Sequence, residues 1–170
     1  EQRIVWIDLP DPRWKPPEFD SEPWTTALRS SGGILDPELP PVRTQDNDLI
    51  LFIRDFLTLN GLLPDFSALA EQSKKYGIRG LCVATIHTVT PSVHVQSRFF
   101  APSIGLPEDP ASGSVHGPLT ACLVDRGIVP MHDDLAGMTC VQGIPGGRTG
   151  LLHALVQLHA DGTYSSRIGG

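Results

Sequence analysis

The sequence predicts an α+β domain rather than a series of βαβ units. Three observations carry that expectation. Short apolar or alternating runs recur along the chain. Late turn signals, Asp161-Gly162 above all, join neighbouring runs as antiparallel hairpins. One helical segment, Gly113–Arg126, is stronger than any other. The 170 residues fit one ordinary domain, and that length buries a core without staples.

In chain order, Ile4–Ile7 (IVWI) is a continuous, largely β-branched run and reads as a strand buried on both faces. Pro10–Pro23 is a proline-rich connector. Ser21 is the predicted cap of a helix over Pro23–Ser30, with Glu22 and Pro23 in its first turn and Gly32-Gly33 as its stop. Asp36–Pro41 is again a proline-rich loop, and Asp48–Arg54 (DLILFIR) is a buried strand. Phe56–Leu63 fits either a short helix or a loop. Asp65 caps a helix in which Phe66, Leu69 and Ala70 recur at helical spacing; Lys74-Lys75 occupy its last turn and Gly77 ends it. Gly80–Thr88 is a strand, and Val93–Phe100 reads as its hairpin partner. Within Gly113–Arg126, Leu119, Cys122 and Leu123 fall on one face, and Gly127 stops the helix. Met138–Gln142, Leu151–Leu158 and Tyr164–Ile168 are strands.

Hydrophobic residues make up 40% of the chain, which excludes a disordered composition. Thirteen Lys+Arg against nineteen Asp+Glu give a formal net charge of −6. That balance argues against nucleic acid or an anionic membrane as the main partner, while leaving room for a local positive site. No apolar run approaches the roughly 20 residues of a membrane span. Glu1–Pro10 lacks the basic and apolar regions of a signal peptide. Cys82, Cys122 and Cys140 are widely spaced, with no CxxC or metal-type pattern, and read as buried reduced thiols of a cytoplasmic protein.

Chemistry concentrates in Arg98–Gly117, RFFAPSIGLPEDPASGSVHG. A strand runs into a Gly/Pro loop, two carboxylates follow, then small residues, then the strongest helix. The first backbone N–H groups of a helix lack intrahelical acceptors and, with the macrodipole, favour an anion. Small residues at Ala111, Ser112, Gly113 and Ser114 let a ligand approach that backbone, the two serines add hydroxyls, and Asp109 is a general acid/base beside it. The competing reading is an ordinary capped helix, with Asp109-Pro110 as cap and first residue, or Ser112 or Ser114 as the cap.

RFFAP…G…EDPASGSVHGPLTACL closely resembles the signature of the PhzF-like (phenazine biosynthesis-like) family, which shares the diaminopimelate epimerase fold. NDLILFIRD, LLPDFSALAE and GIRGLCVAT before it, and VQGIPGGRTG after it, appear in the family's order. The resemblance implies a curved, mainly antiparallel sheet around the Gly113–Arg126 helix. It implies an isomerase that moves a proton on a small carboxylate-bearing metabolite without cofactor or metal. Asp109 matches the acid of the family's E-D-P-A-T-G-S, and Ser114 the serine that closes it and touches substrate; these are the implied catalytic residues. Ser112, Gly113 and His116 are the implied substrate-binding residues, although His116 fits a surface or core-satisfied histidine equally well. A hydroxyl stands where related epimerases carry a thiol, so a two-thiol mechanism is not expected.

The family's opening N-P-x-A-V segment, its glutamate and its G-H-P segment are absent from this sequence. RIVWIDLP resembles the strand that enters the second lobe, and SSRIGG the return to the first. The expectation is therefore that residues 1–170 form a single second, C-terminal lobe with truncated ends, holding half of a cleft and inactive alone. Its expected partner is a first lobe or a second copy in a homodimer. The alternative is a non-catalytic ligand-binding or interaction module. Elsewhere, His132-Asp133-Asp134 is not expected to bind metal, because adjacent loop residues rarely converge on one ion. His87 and His94 read as a cross-strand surface pair. The three tryptophans read as core or lobe-interface packing, His153 and His159 as facing solvent or neighbours, and Arg98 as the partner of either Glu108 or a substrate carboxylate. Gly143, Gly146 and Gly147 lack a nucleotide-loop context.

Overall fold

The structure is a computed structural model and describes residues 4–29, 33–143 and 146–170. Among these, ten strands form one curled sheet in the order β1-β10-β9-β8-β6-β5-β4-β3-β2, with β7 paired to β6 off that path. The strands are β1 (Trp6–Leu9), β2 (Trp14–Lys15), β3 (Val42–Thr44), β4 (Asp48–Phe52), β5 (Gly80–Thr85), β6 (Val95–Ala101), β7 (Leu106–Asp109), β8 (Leu135–Gly143), β9 (Thr149–Leu158) and β10 (Tyr164–Gly169). Only the β4–β5 and β6–β8 pairs are parallel. The expected α+β class, a curved and mainly antiparallel sheet around one helix, is what the structure has.

That helix is α4 (Gly113–Asp125), which lies against β8, β9 and β10. It is buried on nearly every side from Val115 to Leu123, not along one face as its periodicity suggested. A sheet that curls around a helix covers more of it than a flat layer does. Close approach is possible because position 117 is glycine: a Cβ there would meet the Ser166 Oγ at 2.6 Å and Leu9 Cδ1 at 3.0 Å.

Every residue of β4, β5 and β6 is buried, because both faces of this half of the sheet are covered. Side-chain alternation divides them. Ile50, Phe52, Cys82, Ala84, Val95 and Phe99 pack with α4, whereas Leu49, Leu51, Leu81, Val83 and Phe100 join a second cluster on the opposite face. That second cluster includes residues of α1 (Glu22–Ala27), α2 (Phe56–Asn60) and α3 (Phe66–Tyr76). The continuous apolar runs of DLILF and GLCVA thus encode two-sided burial.

Three local expectations are corrected. Trp6–Leu9 is an edge strand that pairs β10 alone, and Val5 and Ile7 are exposed; an apolar run does not show whether a further strand will cover it. Ser21 takes a helical conformation and makes no side-chain cap; Asp20 Oδ1 accepts the Glu22 N–H instead, and α1 ends at Ala27. Gly32 and Ser30 lie outside the described residues, Gly33 within them. His87 and His94 do not pair: His94 Nδ1 accepts the Thr139 N–H, while His87 faces Asp36. Phe56–Leu63 resolves into α2, capped by Asp55, and α3 is capped by Asp65 and closed by Gly77 at φ 62°. All three cysteines are free and buried, and burial pushes each thiol above its ordinary pKa, Cys122 to about 11.

Candidate active site

β7 delivers Glu108 and Asp109 to opposite sides, as strand alternation requires. Glu108 turns to Arg98 on β6, forming a paired contact at 2.7 and 2.8 Å with both side chains almost fully buried. Arg98 also donates to the carbonyls of Leu59 and Leu62. Its charge is therefore spent within the fold, and of its two expected partners it has Glu108.

Asp109, opposite Phe99 in the β6–β7 register, faces the start of α4. Its Oδ1 accepts the Ala111 N–H at 3.0 Å and its Oδ2 accepts the Ser112 hydroxyl at 2.8 Å. Ser112 occupies the N-cap position in an extended conformation yet makes no side-chain cap, because its hydroxyl is turned back to Asp109. The backbone donors at the helix start are thus left open. Gln142, fully buried on β8, donates to the Asp109 carbonyl at 2.7 Å and to Ser112 Oγ at 3.2 Å. Gly143 (φ 128°) and Gly150 let β8 and β9 close up under the Pro110–Ala111 turn; a Cβ on Gly150 would sit 2.6 Å from Ala111 Cβ.

Asp109, Ala111, Ser112, Gly113 and Ser114 line a cavity of about 290 Å³, together with Arg79, Phe99, Ile104 and Leu106. Four of the five expected site residues are therefore brought together. His116 is not among them. It is wholly buried one turn along α4, with Nδ1 2.7 Å from the Ser112 carbonyl and Nε2 3.2 Å from Ser97 Oγ. Burial pushes its pKa down to about 4, against the opposing pull of the Ser112 bond, so the ring is neutral near pH 7. A carbonyl only accepts, so the proton sits on Nδ1 and the ring fastens the N-cap residue rather than meeting the cavity.

Two residues of this neighbourhood are absent from the sequence-level expectation, Arg79 and Gln142. Both lie in strand-forming segments quoted above, GIRGLCVAT and VQGIPGGRTG, and the available signal was a long polar side chain embedded in an apolar run. Larger recesses of about 590 and 550 Å³ occur near Arg13 and near Arg29. Their exposed charged side chains pair locally, as in Lys15–Glu18 and Arg29–Asp65, and neither recess lies at the start of α4.

The family model for phenazine biosynthesis-like proteins matches residues 1–170. The chain belongs to that family. Among curated relatives, an uncharacterized isomerase from Clostridium acetobutylicum is 29% identical over 129 residues, 76% of this chain and 43% of that protein. One from Deinococcus radiodurans is 32% identical over 125 residues, 72% of this chain and 39% of that protein. The chain therefore spans about two fifths of the length of these two relatives. In solved structures, the Bacillus anthracis phenazine biosynthesis protein of the PhzF family superimposes with a TM-score of 0.86 at 18% identity, covering 98% of this chain and 57% of that one. An Enterococcus faecalis PhzF-family protein gives 0.70 at 21% identity, covering 100% and 55%. At these identities the superpositions establish the diaminopimelate epimerase-like PhzF fold. Both curated relatives are named isomerases. Among the described residues no helix is long and apolar enough to cross a membrane.

Proposed function

We propose that this lobe carries half of an isomerase cleft that moves a proton on a small carboxylate-bearing metabolite, with no cofactor or metal. The supporting observation is that Asp109 and the uncapped start of α4 line one cavity. The substrate carboxylate sits against the Gly113 and Ser114 backbone and the Ser114 hydroxyl. Asp109 exchanges a proton with the adjacent carbon. As the C–H bond breaks, its electron pair moves into the carboxylate as enolate charge, and the helix-start donors stabilise that charge where it develops. The pair then returns to carbon as a proton is delivered to the same or another position. Ser112 acts on Asp109 by holding it, and His116 acts on the Ser112 backbone. A first lobe supplies the opposing group and closes the cleft to water, so this lobe alone is inactive.

The test is carbon-bound hydrogen exchange with deuterated solvent, screened over small carboxylates with the full-length protein. Once an exchanging compound is found, Asp109→Asn is expected to slow its exchange by about 10²–10⁴-fold, the usual contribution of a general acid/base. An unchanged rate in that variant removes Asp109 from the mechanism.

A further inference from the structure

We propose that Arg79 is a positioning residue that commits the Ser114 hydroxyl to donating into the cavity, toward the carboxylate of an anionic ligand. The inference rests on the proposed substrate site and assigns to Arg79 a role that the family motif does not contain.

Asp48 opens β4 and Gly80 opens β5, and the two are register partners in the parallel pair. This pairing sets Arg79 beside Asp48. The Asp48 side chain is 1% exposed. Arg79 Nε donates to its Oδ1 at 2.9 Å, and the Nη2 of the same guanidinium donates to its Oδ2. Nη2 also donates to Ser114 Oγ at 2.9 Å. One rigid fork therefore ties the start of β4 to the first turn of α4.

A serine hydroxyl has one proton and two lone pairs. With a lone pair taken by a cationic donor, the proton is turned away from the guanidinium. Among the described residues that proton is given to no acceptor, and Ser114 lines the cavity. It is left for a ligand oxygen. The Arg79 charge itself is countered in place by Asp48. What Arg79 contributes to the cavity is the orientation of a donor, and a residue with the same charge but no fork does not replace it.

The probe is propionate, with propionamide as the neutral control, titrated into full-length protein labelled at glycine and serine and followed at the Gly113 and Ser114 amides. Propionate binding is expected to weaken about tenfold in R79K and in S114A, the order of one charge-assisted hydrogen bond. The R79K/S114A double variant is expected to bind no more weakly than S114A. R79K keeps a cation beside Asp48, so it retains the fold; amide shifts remote from the site check this. Additive losses in the double variant, or wild-type binding by R79K, overturn the positioning role alone. Equal binding of propionate and propionamide, or none of propionate, overturns both this role and the carboxylate site beneath it.

Discussion

Acidification is expected to destabilise this fold through His116. Its Nδ1–H is given to the Ser112 carbonyl, its Nε2 accepts from the Ser97 hydroxyl, and no part of it meets solvent. Burial holds its pKa at about 4, against 6.5 for an ordinary histidine. The folded-state pKa is depressed, so the unfolded chain takes up the proton first. The associated stability is complete above about pH 6.5 and is lost as pH falls toward 4. At about 1.36 kcal/mol per pH unit the full loss is about 3 kcal/mol, of which about 2 kcal/mol is gone at about pH 5. Urea unfolding at about pH 7.5 and about pH 5 measures it, in the wild type and in H116Q, which can still donate to Ser112. The wild type is expected to lose about 2 kcal/mol more than the variant over that interval. Asp48 contributes in the opposite sense, because burial raises its pKa despite Arg79; that contribution is common to both proteins and cancels. Equal losses in the two proteins, or a His116 ring that titrates near 6.5 by NMR, would refute the reasoning.

Arg98→Met strands the Glu108 carboxylate, whose side chain is 8% exposed, and frees the carbonyls of Leu59 and Leu62. Urea unfolding is expected to show a loss of about 3–5 kcal/mol, with E108Q/R98M recovering part of it; a loss below about 1 kcal/mol contradicts the buried pair. Gln142→Leu removes the donors to the Asp109 carbonyl and Ser112 Oγ while also removing an Oε1 that has no partner, so the net loss is expected at the low end of about 1–3 kcal/mol. In the same variant the Asp109 and Ser112 amide shifts move; unmoved shifts exclude a role in holding that loop.

Local sequence encodes well whatever is contiguous. EDPASGS places Asp109, Gly113 and Ser114 within one strand–helix junction, so a short window contains most of the proposed site. The caps Asp55 and Asp65 and the Gly77 stop act within four residues of themselves; Asp65 and Gly77 are legible for that reason, whereas the segment that Asp55 caps fits a short helix or a loop in sequence. The burial of DLILF is legible in its unbroken apolar run, whereas the covering of both faces of DLILF and GLCVA depends on what packs against each side of the sheet. What sequence could not show depends on pairing. IVWI has the composition of a buried strand but pairs only with β10. Arg79 meets Ser114 across 35 residues, and Gln142 meets Asp109 across 33, each through a register that no local pattern specifies. His116 has helical spacing suited to either role, and only the curl of the sheet around α4 decides that it is enclosed.

Asp109 is oriented by Ala111 and Ser112, Ser112 by Gln142 and His116, and Ser114 by Arg79 on Asp48. Those orienting partners all belong to this chain, and each fixes one side chain or backbone group of the proposed site. The chemistry is less complete than the geometry. Among the described residues lining the cavity, Asp109 is the only carboxylate, and the nearest histidine is buried and neutral. Inverting a carbon centre needs a proton removed from one face and another delivered to the opposite face, and one fixed carboxylate reaches one face. On the proposed reading, then, this lobe sets the position of the substrate carboxylate and one proton path, while the choice between inversion and a shift along one face belongs to whatever group closes over the cavity from the other side.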